Sequence, residues 1–394
     1  MDIRVRSGDT LWHYSRLFHL PIILILDSNA DLENPNALRA GQRIRIPGFQ
    51  TVSYTIKKND TFWNIAQSRN LSVDALLLLN QTVNPNRLDA GQEIQIPIRV
   101  TARVLNGNEP YNVQKMTRDL NRLLAIYPFM KRREAGKSVL EQPVHEIQIG
   151  RPGRKVQINA SFHANEWITT SIFMRFLNDY MLALTNGWMI RGIPAMTMYT
   201  RSRLFAIPMV NPDGVNLVLN GPPPEREEEL VRLNRGDRDF SGWKANIRGV
   251  DLNKQFPANW DFERERKPKE PGPRDFPGYA PLSEPESKLM ADLARTENFD
   301  RLIALHTQGQ EIYWGYEGLE PLESEVLARD FARVTGYEAI RYVDNYAGYK
   351  DWWIQEFKKP GFTIELGKGQ NPLPLSQFED IYAHMLGLFV RSLI

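Results

Sequence analysis

The sequence predicts an α/β protein in which a mixed sheet flanked by helices follows two small βααβ units. Three observations carry this. The first hundred residues repeat at a spacing of about 50. Downstream, helical stretches alternate with short apolar runs at residues 156–160, 204–209, 302–305 and 361–366. The chain has 394 residues, more than one ordinary compact domain holds. The division that follows is 1–49 and 50–98 for the repeats, 99–110 for a linker and 111–394 for the large domain.

In the first repeat Gly8-Asp9-Thr10-Leu11-Trp12 is followed by Asn29, by Asn34-Pro35-Asn36, and by Ala40-Gly41-Gln42-Arg43-Ile44-Arg45-Ile46-Pro47. The second reads Asn59-Asp60-Thr61-Phe62-Trp63, Asn80, Asn84-Pro85-Asn86, and Ala90-Gly91-Gln92-Glu93-Ile94-Gln95-Ile96-Pro97. Each copy predicts a short strand (3–6 and 54–57) running into Asp-Thr, where either side chain can cap a helix. A second helix ends near the Asn, Asn-Pro-Asn makes a turn, and an alternating strand closes at proline. Trp12 and Trp63 are taken as core residues, with Phe62, Ile65 and Ala66 on one helical face. Asn106-Gly107-Asn108 and Pro110 break the linker. Beyond it, Met116, Leu120, Leu123 and Leu124 predict an amphipathic helix over Val113–Ile126.

Bulk properties exclude several classes. With 42% hydrophobic and 24% charged residues the chain is not a disordered one. A net charge of +2 gives no general attraction to nucleic acid or an anionic membrane. The absence of cysteine removes disulfides and thiol nucleophiles, so any metal must be held by histidine and carboxylate. No signal peptide is visible in Met1-Asp2-Ile3-Arg4-Val5-Arg6, and no run reaches the roughly 20 apolar residues of a membrane span. The expected location is therefore cytoplasmic, including a sporulating cell or spore, or the cell wall by another route.

Of six histidines, His13, His19, His145 and His384 read as packing or surface residues, with His145 just ahead of a strand. His163 differs. It follows the apolar run at 156–160 in Ser161-Phe162-His163-Ala164-Asn165-Glu166, and open α/β sheets place ligand sites at such strand ends. Glu166, three residues on, can turn toward the same point. His306, ending Leu302-Ile303-Ala304-Leu305, is the one other histidine in a comparable setting. Two histidines and a glutamate with an open position form a known catalytic zinc set.

The repeats closely resemble LysM modules, which bind N-acetylglucosamine-containing glycans such as peptidoglycan. The resemblance implies glycan contacts around Gly8, Asp9 and Thr10 and around Asn59, Asp60 and Thr61. In the large domain, Phe162-His163-x-x-Glu166-Trp167-Ile168-Thr169 resembles the zinc motif of the M14 metallocarboxypeptidases. Asn211-Pro212-Asp213-Gly214, Gly249-Val250-Asp251-Leu252-Asn253, Leu305-His306-Thr307 and Phe362-Thr363-Ile364-Glu365-Leu366 follow in the family's order. The resemblance implies an M14 fold, one Zn2+ at His163, Glu166 and His306, and Glu365 as general base. It also implies a cation for the oxyanion after a tryptophan. Trp243 is followed by Lys244, with Arg248 four residues on, and both stand as candidates. Tyr342 and Tyr346 fall near the family's substrate-covering tyrosine.

Two positions depart from the carboxypeptidases. Asn253-Lys254 replaces an Asn-Arg pair that grips a C-terminal carboxylate, and lysine is a point charge rather than a bidentate fork. Asn165 replaces an arginine inside the zinc motif. Closer resemblance is to a branch of the family that carries two LysM modules and cuts the γ-D-glutamyl bond to meso-diaminopimelate in wall peptides. Residues 243–246, 249–253, 255–257, 348–352, 360–369 and 371–374 carry it, while Lys254 stands where that branch has an acidic residue. The rival expectations are C-terminal trimming of peptides, a glycan-binding protein with an inactive peptidase domain, and a deacylase. Charge-rich, proline-containing segments at 221–235 and 264–274 read as solvated loops, or as a border to the cleft.

Overall fold

The computed structural model describes residues 1–394 and resolves into two compact units. The first comprises Met1–Val104 with Leu120–Lys131 and Asn178–Met189. It therefore takes in two stretches that the sequence division gave to the large domain. Within it the Gly48 amide donates to Ile126 O (2.8 Å), Arg99 to Thr185 O (2.8 Å) and Asn186 to Val100 O (3.0 Å).

Both repeats are βααβ. The first runs β1 (Asp2–Arg4), α1 (Leu11–Leu17), α2 (Ile22–Ser28) and β2 (Arg43–Arg45). The second runs β3 (Phe49–Thr55), α3 (Phe62–Gln67), α4 (Val73–Leu79) and β4 (Glu93–Arg99). In each, the two strands pair antiparallel. The β4 strand continues through Pro97 rather than ending there. A two-stranded sheet has only edges, where a missing N–H is tolerated. The repeated asparagines do the same work twice. Asn29 donates to Ile25 O and Arg45 O and accepts from Arg45 N; Asn80 donates to Leu76 O and Gln95 O and accepts from Gln95 N. Each ties the end of the second helix to the closing strand. The Asn-Pro-Asn turns close through Asn34 and Asn84 side chains that accept from the amides of Asn36 and Asn86.

The second unit holds an eight-stranded mixed sheet. Its strands are β5 (Lys131–Lys137), β6 (Pro143–Gly150), β7 (Arg154–Asn159), β8 (Ser202–Ile207), β9 (Arg301–Thr307), β10 (Glu311–Tyr313), β11 (Glu338–Ile340) and β12 (Gly361–Leu366). They lie in the order β11-β10-β12-β9-β7-β8-β6-β5. The four central strands, β12-β9-β7-β8, are parallel. Every residue of β9 is buried, as expected of a strand covered on both faces. His145 lies within β6 rather than ahead of it. Packed around the strands are Phe162, Leu252, Phe256, Tyr349, Trp352 and Trp353, all fully buried. No helix is long and apolar enough to cross a membrane.

Candidate active site

Three neighbouring parallel strands deliver the chemistry to one sheet end. His163 follows β7, His306 is the penultimate residue of β9, and Glu365 is the penultimate residue of β12. His306 and Glu365 are register partners, and Ala304 of β9 pairs with Asn159 of β7. The chain leaves β7 through Ser161, whose φ of 50° is left-handed and strained for a non-glycine residue. Its hydroxyl bonds Thr170 (2.8 Å) and its amide donates to Thr169 Oγ1 (2.9 Å), which fixes the turn. A single 3-10 turn, Ala164–Glu166, then brings Glu166 back beneath His163.

The three side chains converge. Glu166 Oε1 lies 2.7 Å from His163 Nδ1, Glu166 Oε2 lies 3.0 Å from His306 Nδ1, and the two Nδ1 atoms are 3.1 Å apart. His163 Nε2 donates to Asp251 Oδ1 (3.2 Å), which turns the Nδ1 lone pair inward. Lone pairs facing each other at these distances require a proton or a cation between them. A tetrahedral zinc site with bonds near 2.0–2.1 Å sets neighbouring ligand atoms about 3.3 Å apart. The donor types and spacings fit such an ion. All three ligand residues are buried.

Electrostatics separates the carboxylates. Burial raises the pKa of Glu166, but His163 and His306 outweigh it and hold the group ionised, below the usual carboxylate range. Burial, then the charge of Glu166, pushes Glu365 up to about 8. A carboxyl poised near neutrality suits proton transfer. Asp251 is buried too, yet Lys244 and His163 hold it well below the usual range.

The site opens into a cleft of about 480 Å3 lined by His163, Asn165, Glu166, Lys244, Asn253, Lys254 and Glu365, with Arg274, Tyr313, Val343, Asn345 and Asn371 among the rest. The structure separates the two cation candidates. Lys244 lines the cleft, bonds Asp275 (3.2 Å) and stands 2.9 Å from Asp251 Oδ2. Burial works against its charge, but those carboxylates outweigh it and hold the ammonium above its usual range. Arg248 is half-exposed, pairs with Glu284 at 3.5 Å, and does not line the cleft.

The remaining candidates lie as follows. Lys254 lines the cleft, but it donates to Glu263 Oε1, Asn345 Oδ1 and Tyr346 O (3.0 Å). An ammonium has three donors, so none remains to grip a substrate carboxylate. Tyr342 and Tyr346 lie in an adjoining cavity with Tyr316 and Lys350; Val343 and Asn345, between them, reach the catalytic cleft. Tyr342 donates to Glu320. Asn253 accepts from the Tyr349 amide at the start of the helix Tyr349–Phe357 (2.9 Å). Asn165 donates to Gly242 O (3.4 Å), and its buried Oδ1 has no partner. Sequence reasoning assigned no role to Asp251 or Arg274. Asp251 lies inside a quoted motif, and Arg274 ends one of the charge-rich segments.

In the repeats, the side chains expected to meet glycan serve their own loops. Thr10 accepts from His13 N and Thr61 from Asn64 N as helix caps. Asp9 accepts from Arg6 and Tyr14, and Asp60 from Lys57 N and Tyr54. Gly8 and Asn59 occupy the same left-handed position (φ 84° and 71°), open to glycine and tolerated by asparagine. Trp12 and Trp63, read from the sequence as core, are each 66% exposed.

Comparison with known proteins agrees with this geometry. The zinc carboxypeptidase (M14 peptidase) family model matches residues 116–385, and the LysM domain model matches 3–47 and 54–97. The chain is 53% identical over 395 aligned residues, covering all of both chains, to gamma-D-glutamyl-L-diamino acid endopeptidase 1 of Lysinibacillus sphaericus. It is 40% identical to the uncharacterized protein YqgT of Bacillus subtilis, over 88% of this chain and 98% of that one. Among solved structures, thrombin activatable fibrinolysis inhibitor superposes with a TM-score of 0.58 at 18% identity, covering 73% of this chain and 77% of the other. Carboxypeptidase A of Helicoverpa armigera gives 0.53 at 16%, covering 73% and 75%. These two likenesses establish the fold.

Proposed function

The chain belongs to the M14 zinc carboxypeptidase family and carries two LysM domains, and from that premise we propose that it hydrolyses the γ-D-glutamyl bond to meso-diaminopimelate in peptidoglycan peptides. The observation that carries the reading is the convergence of His163, Glu166, His306 and Glu365 in a cleft whose Lys254 has no free donor. An exopeptidase must hold a terminal carboxylate; an endopeptidase need not. Full-length identity to a γ-D-glutamyl-L-diamino acid endopeptidase supports the bond assignment.

His163, Glu166 and His306 would hold one Zn2+. When bound, zinc polarises the scissile carbonyl and lowers the pKa of water to about 7. Glu365 takes the proton of the attacking water on its carboxylate and delivers it to the leaving amine. The Lys244 ammonium, held by Asp251 and Asp275, retains a third N–H for the developing oxyanion. Asp251 fixes the tautomer and orientation of His163. Asn165 and Asn253 offer amide groups for orienting the peptide.

The LysM repeats bring the enzyme to N-acetylglucosamine-containing glycan. With the side chains of Asp9, Thr10, Asp60 and Thr61 engaged in their own loops, contact falls to backbone groups of 8–10 and 59–61 and to the exposed Trp12 and Trp63. Cell-wall association follows from this binding.

The test is incubation with L-Ala-γ-D-Glu-meso-diaminopimelate peptides, with and without a C-terminal D-Ala, analysed by mass spectrometry. Release of L-Ala-D-Glu from both, abolished by chelator, is expected. Removal of D-Ala alone, or indifference to chelator, would sink the assignment.

A further inference from the structure

The charge-rich segment 264–274 ends at the catalytic cleft in Arg274. Three Lys or Arg side chains line that cleft: Lys244, Lys254 and Arg274. Lys254 has all three donors committed inside the protein. Lys244 is held between Asp251 and Asp275. Arg274 is different. Its side chain is 60% exposed, and its one partner is Asp275, reached through Nε at 3.3 Å. Neither Nη group donates a hydrogen bond within the protein. The planar pair of terminal nitrogens matches a carboxylate bidentately. The two carboxylates lining the cleft, Glu166 and Glu365, are not in contact with it.

A γ-glutamyl linkage leaves a charge close to the scissile amide. Because the side-chain carboxyl forms the scissile amide, the α-carboxylate stays free, two methylenes and one CH from the scissile carbonyl carbon. On the acyl side it is the free charge nearest to that bond; on the leaving-group side the α-carboxylate of the diaminopimelate L-centre is as near when no D-Ala follows, and the distal carboxylate lies farther off. Asp275 bonds Lys244 through one oxygen and Arg274 through the other. Arg274 is thereby placed beside the cation assigned to the oxyanion.

We propose that Arg274 is a specificity-determining residue that binds the α-carboxylate of the γ-D-glutamyl unit and so selects units in which that carboxylate is free over those in which it is amidated. This rests on the γ-D-glutamyl reading above.

The experiment compares wild type and Arg274→Gln, both zinc-loaded, on three peptides. These are L-Ala-γ-D-Glu-meso-diaminopimelate, its α-amidated form bearing D-isoglutamine, and a form with L-Lys in place of diaminopimelate. Wild type should favour the free carboxylate over the amide by about 10- to 100-fold in kcat/KM. Arg274→Gln should lose that factor on the carboxylate peptide, so that the ratio approaches one, and Arg274→Lys should regain part of it. Equal zinc content and Tm show that the variants are folded. A carboxylate-to-amide ratio unchanged by Arg274→Gln overturns the inference. So does a loss that tracks the diaminopimelate-versus-lysine pair instead. Failure of wild type to cut any of the three peptides overturns the parent reading, and this one with it.

Discussion

His306 and Glu365 are register partners on neighbouring parallel strands, β9 and β12. Side chains at paired positions of a parallel sheet leave on the same face, so a metal ligand and an acid-base group are set side by side by backbone hydrogen bonds alone. Conversion of one should leave the other in place. Glu365→Gln is expected to keep one zinc per chain and to lower kcat by about 10² to 10⁴ with little change in KM. Metal analysis alongside steady-state kinetics checks it, and loss of zinc from this variant would contradict the separation of roles.

The triad predicts that the metal also stabilises the fold. An ion that binds only the native state at about 100 times its Kd adds roughly 2.7 kcal/mol. Thermal unfolding of the chelated protein should therefore shift upward on adding Zn2+. His306→Ala should abolish both that shift and the activity. A shift that survives in His306→Ala would place the ion elsewhere.

Lys254 is predicted to matter for stability more than for substrate affinity. Glu263 is fully buried and also meets Arg266 at 2.7 Å and Lys267 at 3.6 Å. Removing the ammonium in Lys254→Met leaves a buried carboxylate short of its closest partner, at a cost of roughly 3 kcal/mol. Denaturant unfolding should show that loss, with KM for a γ-D-glutamyl peptide changed by less than about threefold. A large rise in KM at unaltered stability would restore Lys254 as a substrate clamp.

In the repeats, Trp12 and Trp63 face solvent one residue past the buried Leu11 and Phe62. Their replacement by alanine should change stability by no more than about 0.5 kcal/mol each. Affinity for N-acetylglucosamine oligomers should fall about fivefold for each ring lost, the order of one stacking contact. Calorimetric titration against chitin oligomers reads this directly. Undiminished binding by the double variant would move the glycan site off these rings.

How far the sequence could be read follows from where each signal lives. The metal triad was legible because each member sits at the end of a hydrophobic run, a pattern that backbone periodicity fixes. The repeats were legible because Asn29 and Asn80 have the same backbone partners in both copies. The two tryptophans were misread because helical spacing does not say which flank of a helix of six or seven residues meets the core. The internal engagement of Lys254 was not legible, because its acceptors, Glu263, Asn345 and Tyr346, are brought to it by tertiary folding. Choosing Lys244 over Arg248 likewise required Asp251, Asp275 and Glu284 in three dimensions. Arg274 left only a compositional trace, a charge-rich segment whose cleft-facing end no periodicity marks.

Glu286 gives the fold a pH dependence outside the active site. It lies in the first turn of the half-buried helix Pro285–Glu297, accepts from Val139 N at 3.2 Å, and lies 3.4 Å from the Asn246 amide. Burial, with Asp213 and Glu284 adding to it, pushes its carboxyl up to about 7. The unfolded chain ionises this group near its ordinary value of 4.5, so between those two pH values the native state binds the extra proton. Stability must then fall as pH rises through that window, by on the order of 3 kcal/mol in all. Glutamine keeps an oxygen for Val139 and cannot ionise. Glu286→Gln should therefore match the wild type near pH 4.5 and exceed it above pH 7, with a flatter profile between. Denaturant midpoints measured across that range decide it, and parallel profiles for the two proteins would show that Glu286 stays ionised in the fold.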